Sequence, residues 1–80
     1  MSETARIESK LIELAAKRFK VEVSGLSAED DFFDKLGIDS FQAMELLTDI
    51  ESEFDVEIPD YELQGVNTFA GMAEVIGRRL

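Results

Sequence analysis

Few residues in this 80-residue chain are equipped for chemistry. It has no cysteine and no histidine, which removes disulfides, thiolate metal sites, a protein-borne thiol nucleophile, the usual general base and the commonest metal ligand. Self-contained hydrolytic or transfer chemistry is not expected; any reactivity would be borrowed from something attached to the chain. A metal reading of the acidic loop fails on position. Counted from Asp31, a calcium loop needs oxygen ligands where Phe33 and Lys35 stand, its glycine comes one residue late at Gly37, and its twelfth residue is Gln42. No metal site is expected. The pair Asp39-Ser40 stands at the head of an apolar periodic segment, where both types favour helix starts because their side-chain oxygens accept unpaired backbone N–H groups. Taken alone, it means a helix cap.

Carboxylates dominate the rest. Between Leu36 and Gly77 there are ten acids, Asp39, Glu45, Asp49, Glu51, Glu53, Asp55, Glu57, Asp60, Glu62 and Glu74, and no Lys or Arg. Such a single-sign field is either a solvated face that keeps the chain soluble or a docking surface for basic partners. The formal charge of −10 argues against nucleic acid and anionic membranes as partners. The N-terminal residues Met1 to Arg6 hold no apolar signal core, and no run approaches membrane-spanning length. A cytoplasmic monomer is the expectation.

The elements that must position these residues read as helices. Hydrophobic residues make up 45% of the chain, enough for one core and one domain over residues 1–80. Ile7, Leu11, Leu14, Ala15 and Phe19 predict a first helix over about residues 3–20, capped by Ser2 or Thr4, with Lys17, Arg18 and Lys20 in its last turn. Residues 21–39 read as a long apolar connection, in which Ser27-Ala28-Glu29-Asp30 could cap a single helical turn. Ala43, Leu46, Leu47, Ile50 and Phe54 predict a second helix from Asp39-Ser40 to about Phe54. Pro59 suits the first turn of a short helix through Tyr61 and Leu63, ended by Gly65. Thr68 caps a last helix bearing Phe69, Met72, Ala73, Ile76 and Leu80. The sum is an all-α four-helix bundle, three main helices and one short one.

Several stretches together resemble the acyl carrier protein family, over nearly the whole chain. Gly37-Ile38-Asp39-Ser40-Phe41 looks like its attachment motif, Phe32-Phe33-Asp34-Lys35-Leu36-Gly37 like its loop segment, and Glu51 to Pro59 like its helix-two ending. The resemblance implies that a phosphopantetheinyl transferase moves 4'-phosphopantetheine from coenzyme A onto the hydroxyl of Ser40. The terminal thiol of that arm would hold acyl groups as thioesters, and the protein would be a carrier and not an enzyme. Asp39 would cap the helix and be recognised by the transferase. By the same resemblance, a flank of helix two with Phe41, Met44, Glu45, Thr48, Glu51 and Ser52 is the partner-docking surface. It would meet basic patches on acyl-loading, ketosynthase or acyltransferase enzymes. Read from the residues alone, Phe41 and Met44 serve equally well as core.

The family's acyl chain can slip into the apolar interior, so Leu46, Leu47, Ile50, Phe54, Val66, Phe69, Met72 and Ile76 are candidates to line a cavity, with Phe33 and Phe41 near its mouth. Three positions depart from the family pattern: Phe41 stands for leucine, Gln42 for a usual acid and Ser52 for a frequent acid. The reduced charge at Gln42 and Ser52 suggests partners other than those of a housekeeping fatty-acid carrier, and so a specialised carrier for a dedicated acyl pathway. Fatty-acid-type or specialised lipid or polyketide biosynthesis is the expected setting. Met1 at the start and the last helix at the end suggest a free-standing protein. A D-alanyl, aminoacyl or aryl carrier would use the same serine, and a non-carrier acidic adaptor would not need it.

Overall fold

The first helix, α1, spans Glu3–Phe19 in the computed structural model, which describes residues 3–80. Its apolar stripe puts Ile7, Leu11 and Ala15 inside, joined by Ala16. Lys20 adopts the left-handed conformation, with φ 57°. The Val21 amide there reaches back to the Ala16 carbonyl at 3.1 Å, and this closing turn ends the helix. Of the expected caps, Ser2 lies outside the described residues, and Thr4 falls within the helix, not before it.

The connection that follows is more ordered than its sequence suggests. Ser27 and Asp30 do form a turn, the Ser27 amide donating to the Asp30 carboxylate at 2.9 Å. The helix, however, starts later. Asp31 caps α2, Phe32–Leu36, by accepting from the Phe33 and Asp34 amides, and Gly37 closes it at φ 64°, a backbone region glycine enters without strain. The loop is also stitched to the start of the last helix. Asp31 and Thr68 form an isolated bridge. The Phe32 amide donates to the Asn67 carbonyl at 2.9 Å, and the Ala70 amide to the Ala28 carbonyl at 2.8 Å. Asn67 adds a side-chain bond to Asp31 at 3.0 Å.

Helix α3 runs Ser40–Phe54, with the expected bounds. The stretch after Pro59 tightens into a 3₁₀ turn over Asp60–Leu63, so the short α-helix of the bundle is α2 and not the segment around Tyr61. Helix α4, Phe69–Gly77, begins where Thr68 accepts from the Gly71 amide at 3.0 Å. Leu80, expected on its apolar face, lies beyond the helix and is exposed.

Helix α1 packs most extensively against α4 and also against α3. Between them lie Ile7, Leu11 and Ala15 of α1, Leu46, Leu47 and Ile50 of α3, and Phe69, Met72, Ala73 and Ile76 of α4, with Phe32, Ile38 and Ile58 closing the ends. The all-α four-helix expectation is met. No helix among the described residues is long and apolar enough to cross a membrane.

Candidate carrier site at the head of α3

Ser40 is the first residue of α3 and is exposed. Its position is held by reciprocal capping. The Asp39 carboxylate accepts from the Gln42 amide at 2.9 Å, while the Gln42 side-chain oxygen accepts from the Asp39 amide at 3.2 Å. A glutamate or glutamine three residues after the cap supports this exchange, so Gln42 keeps the capping role that an acid there would also fill. The Asp39 carbonyl takes the Ala43 amide at 3.0 Å, leaving the first-turn amides of Ser40 and Phe41 outside the capping pattern. A helix start of this kind favours anions, through its N–H groups and dipole.

Ser40 also borders an apolar cavity of about 160 Å³. Of the residues expected to line such a space, Leu46, Leu47, Ile50, Phe69 and Met72 do so. Phe54, Val66 and Ile76 do not: they pack elsewhere in or against the core. Phe33 lines the cavity, but Phe41 points away and is 73% exposed. Sequence reading misses Leu11, Phe32, Ala43, Met44 and Leu63, which complete the walls. The capping signals Asp31 and Gly37 could have found α2, and with it Phe32.

On the flank proposed for docking, Phe41 and Met44 are exposed and not core, Met44 also bordering the cavity. Glu45 and Thr48 are exposed, the Thr48 hydroxyl donating to the Met44 carbonyl at 3.1 Å. Glu51 is different: it is half-buried, and its carboxylate accepts from the Ile58 amide at 2.8 Å. The acidic stretch is not left as a bare field. Arg18 grips Asp49 through two bonds, one from Nη2 at 2.9 Å, and reaches Glu45 at 4.0 Å. Lys10 lies 3.7 Å from Glu53, and Arg79 pairs with Glu62 at 2.9 Å. The hydrogen bond from Arg18 holds the Asp49 carboxyl below the ordinary carboxylate range, its charge adding to the effect and partial burial opposing it. Among the described residues no cluster of acids is arranged to hold a metal ion.

A family model described as the phosphopantetheine attachment site matches residues 9–76. The acyl carrier protein of Porphyromonas gingivalis is 33% identical over 76 residues, covering 95% of this chain and 97% of that one. That of Rickettsia canadensis is 33% identical over 79 residues, covering 99% and 92%. A solved structure of the acyl carrier protein from Enterococcus faecalis superimposes with a TM-score of 0.77 at 22% identity, over 99% of this chain and all of that one. The chain belongs to the acyl carrier protein family, whose prosthetic group is 4'-phosphopantetheine.

Proposed function

We propose that this chain carries acyl groups on a 4'-phosphopantetheine arm attached to Ser40, as a single cytoplasmic carrier domain over residues 1–80. The observation that carries this reading is the position of one hydroxyl. Ser40 is exposed at the start of a capped 15-residue helix and at the edge of an apolar cavity. Attachment joins the Ser40 Oγ to the phosphorus of coenzyme A nearest the pantetheine. The bond to the adenosine bisphosphate half breaks, and the serine proton passes to a base of the transferase. A phosphodiester on Ser40 would meet the N-terminus of α3, a setting worth about 0.3–1 kcal/mol to an anion. Asp39 sits close by with its carboxylate engaged by the Gln42 amide, so it serves as the cap; the family resemblance adds the role of a mark for the transferase. The bound arm supplies a terminal thiol for thioester chemistry that this cysteine-free chain lacks.

Partners would approach over Phe41 and Met44, flanked by Glu45 and Thr48. A small apolar patch beside acids suits the transient, basic-patched enzymes of acyl transfer. Reduced charge at Gln42 and Ser52 supports a dedicated acyl pathway in place of housekeeping fatty-acid synthesis. Full-rate malonyl transfer and elongation by housekeeping enzymes would contradict that part.

The test is intact mass after incubation with coenzyme A, Mg²⁺ and a broad-specificity phosphopantetheinyl transferase, beside a Ser40→Ala control. Addition of one phosphopantetheine to the natural sequence and none to the control is expected. No addition to a folded natural protein would favour an adaptor over a carrier.

A further inference from the structure

The acids of α3 already hold a guanidinium, and it comes from the same chain. Arg18 donates to both oxygens of Asp49, from Nε and from Nη2, the latter at 2.9 Å, and its Nη1 lies 4.0 Å from Glu45. Glu45 and Asp49 are four residues apart on α3, so their carboxylates share one face of the helix. Arg18 belongs to the last turn of α1, where a cation serves the helix dipole without any partner. The two-pronged bond to α3 is more than that position asks. It uses the planar fork by which arginine, and not lysine, recognises a carboxylate.

Two features make this contact exchangeable. The Arg18 and Asp49 side chains are 34% and 33% exposed, so a second cation can approach them without unpacking the core. Beside them lies an open groove bounded by Leu14, Lys17, Ser52 and Glu53, into which a displaced Arg18 can turn. The place also matters. Glu45 and Asp49 stand about 7.5 and 13.5 Å along the helix from Ser40, within the span of an ordinary interface centred on that serine. Resting on the reading of this face as a docking surface for basic partners, we propose that Arg18 is a built-in competitor. It occupies the place that a partner's arginine takes on Asp49 and Glu45, and docking exchanges one guanidinium for the other. Asp49 is then bare neither in the free chain nor in the complex. The exchange weakens each partner that reads Asp49, which keeps its visits short, and leaves a partner anchored on Phe41 and Met44 alone unaffected.

The test titrates the full chain with a helical peptide bearing arginines four residues apart, a stand-in for a basic docking face, at low salt where such contacts are least screened. Arg18→Gln should tighten the peptide Kd about threefold, the size of a part-exposed ion pair. Arg79→Gln changes the net charge equally but releases Glu62 on the 3₁₀ turn, and should leave the Kd unchanged. Adding Asp49→Asn to Arg18→Gln should remove most of the gain. On saturation of the natural chain, the Arg18 Nε–H resonance should move to the position of an unbonded arginine in NMR spectra. Arg18→Lys, which keeps the charge and loses the fork, should gain in the same direction but less, and it serves should glutamine there disturb the fold. Equal gains from Arg18→Gln and Arg79→Gln, a gain that survives Asp49→Asn, an unmoved Arg18 resonance or no measurable binding overturns the inference. Failure to gain mass at Ser40 would remove the attachment reading and leave this exchange standing; peptide binding without exchange would remove this inference alone.

Discussion

Two flanks of α3, which meet at Glu45, carry different chemistry in the fold. Along one, Glu45, Asp49 and Glu53 meet Arg18 and Lys10 of α1. Along the other, Phe41 and Met44 stand exposed beside Ser40. Exposed ion pairs contribute little stability, but they cancel field where the sequence shows only negative charge. A count of acids therefore overstates what a basic partner meets. The surface left for docking is smaller and more apolar than the run of carboxylates implies, and one of its expected members, Glu51, is occupied in holding the chain after the helix.

Three substitutions test that contrast. Glu51→Ala should cost the most stability, about 1.5–3 kcal/mol by urea denaturation, because the Ile58 amide loses a charged acceptor. Unchanged stability together with lost partner turnover would return Glu51 to the docking face. Phe41→Ser should leave stability within about 0.5 kcal/mol while lowering the transferase kcat/KM about tenfold, as for an exposed anchor residue. If the melting temperature falls as far as the turnover does, Phe41 is packing and not docking.

Arg18→Gln should have the smallest effect, and it should depend on pH. The Asp49 carboxyl is depressed in the folded state by Arg18. Its contribution is present above the ordinary carboxylate pKa of about 3.9 and is lost as pH falls through the lower folded value. The variant and its parent should therefore differ at neutral pH and converge in acid, with the Asp49 titration followed by NMR moving upward in the variant. An Asp49 titration that does not move would mean Arg18 does not govern it.

What could be read from the sequence was what local chemistry decides. Helix α3 was legible at both ends because Asp39 is a strong cap and Leu46, Leu47 and Ile50 keep one face. Thr68 announced α4 for the same reason. Helix α2 escaped because five residues are too few to show periodicity, and the adjacent Phe32 and Phe33 disguise it as apolar loop. The cavity was half legible. Leu47 and Ile50 follow from the α3 stripe, but Leu11 and Phe32 join them only once α1 and α2 pack across. Phe54 and Val66 share the apolar pattern and fill other parts of the core. The bond from Ile58 to Glu51 depends on how the chain turns after Asp55, at φ 55°, which no spacing rule reveals.

The stitching of the α2 loop to the start of α4 has a consequence for motion. Main-chain bonds in both directions, Phe32 to Asn67 and Ala70 to Ala28, together with the Asp31–Asn67 bond, join two segments distant in sequence. They should open as one cooperative unit, not fray separately. The wall bearing Phe32 and Phe69 should thus be the steadier one, and opening of the cavity should fall to the side where Leu63 sits on a short 3₁₀ turn. In hydrogen exchange, the amides of Phe32 and Ala70 would outlast those of Asp60 to Leu63, marking which side of the doorway moves.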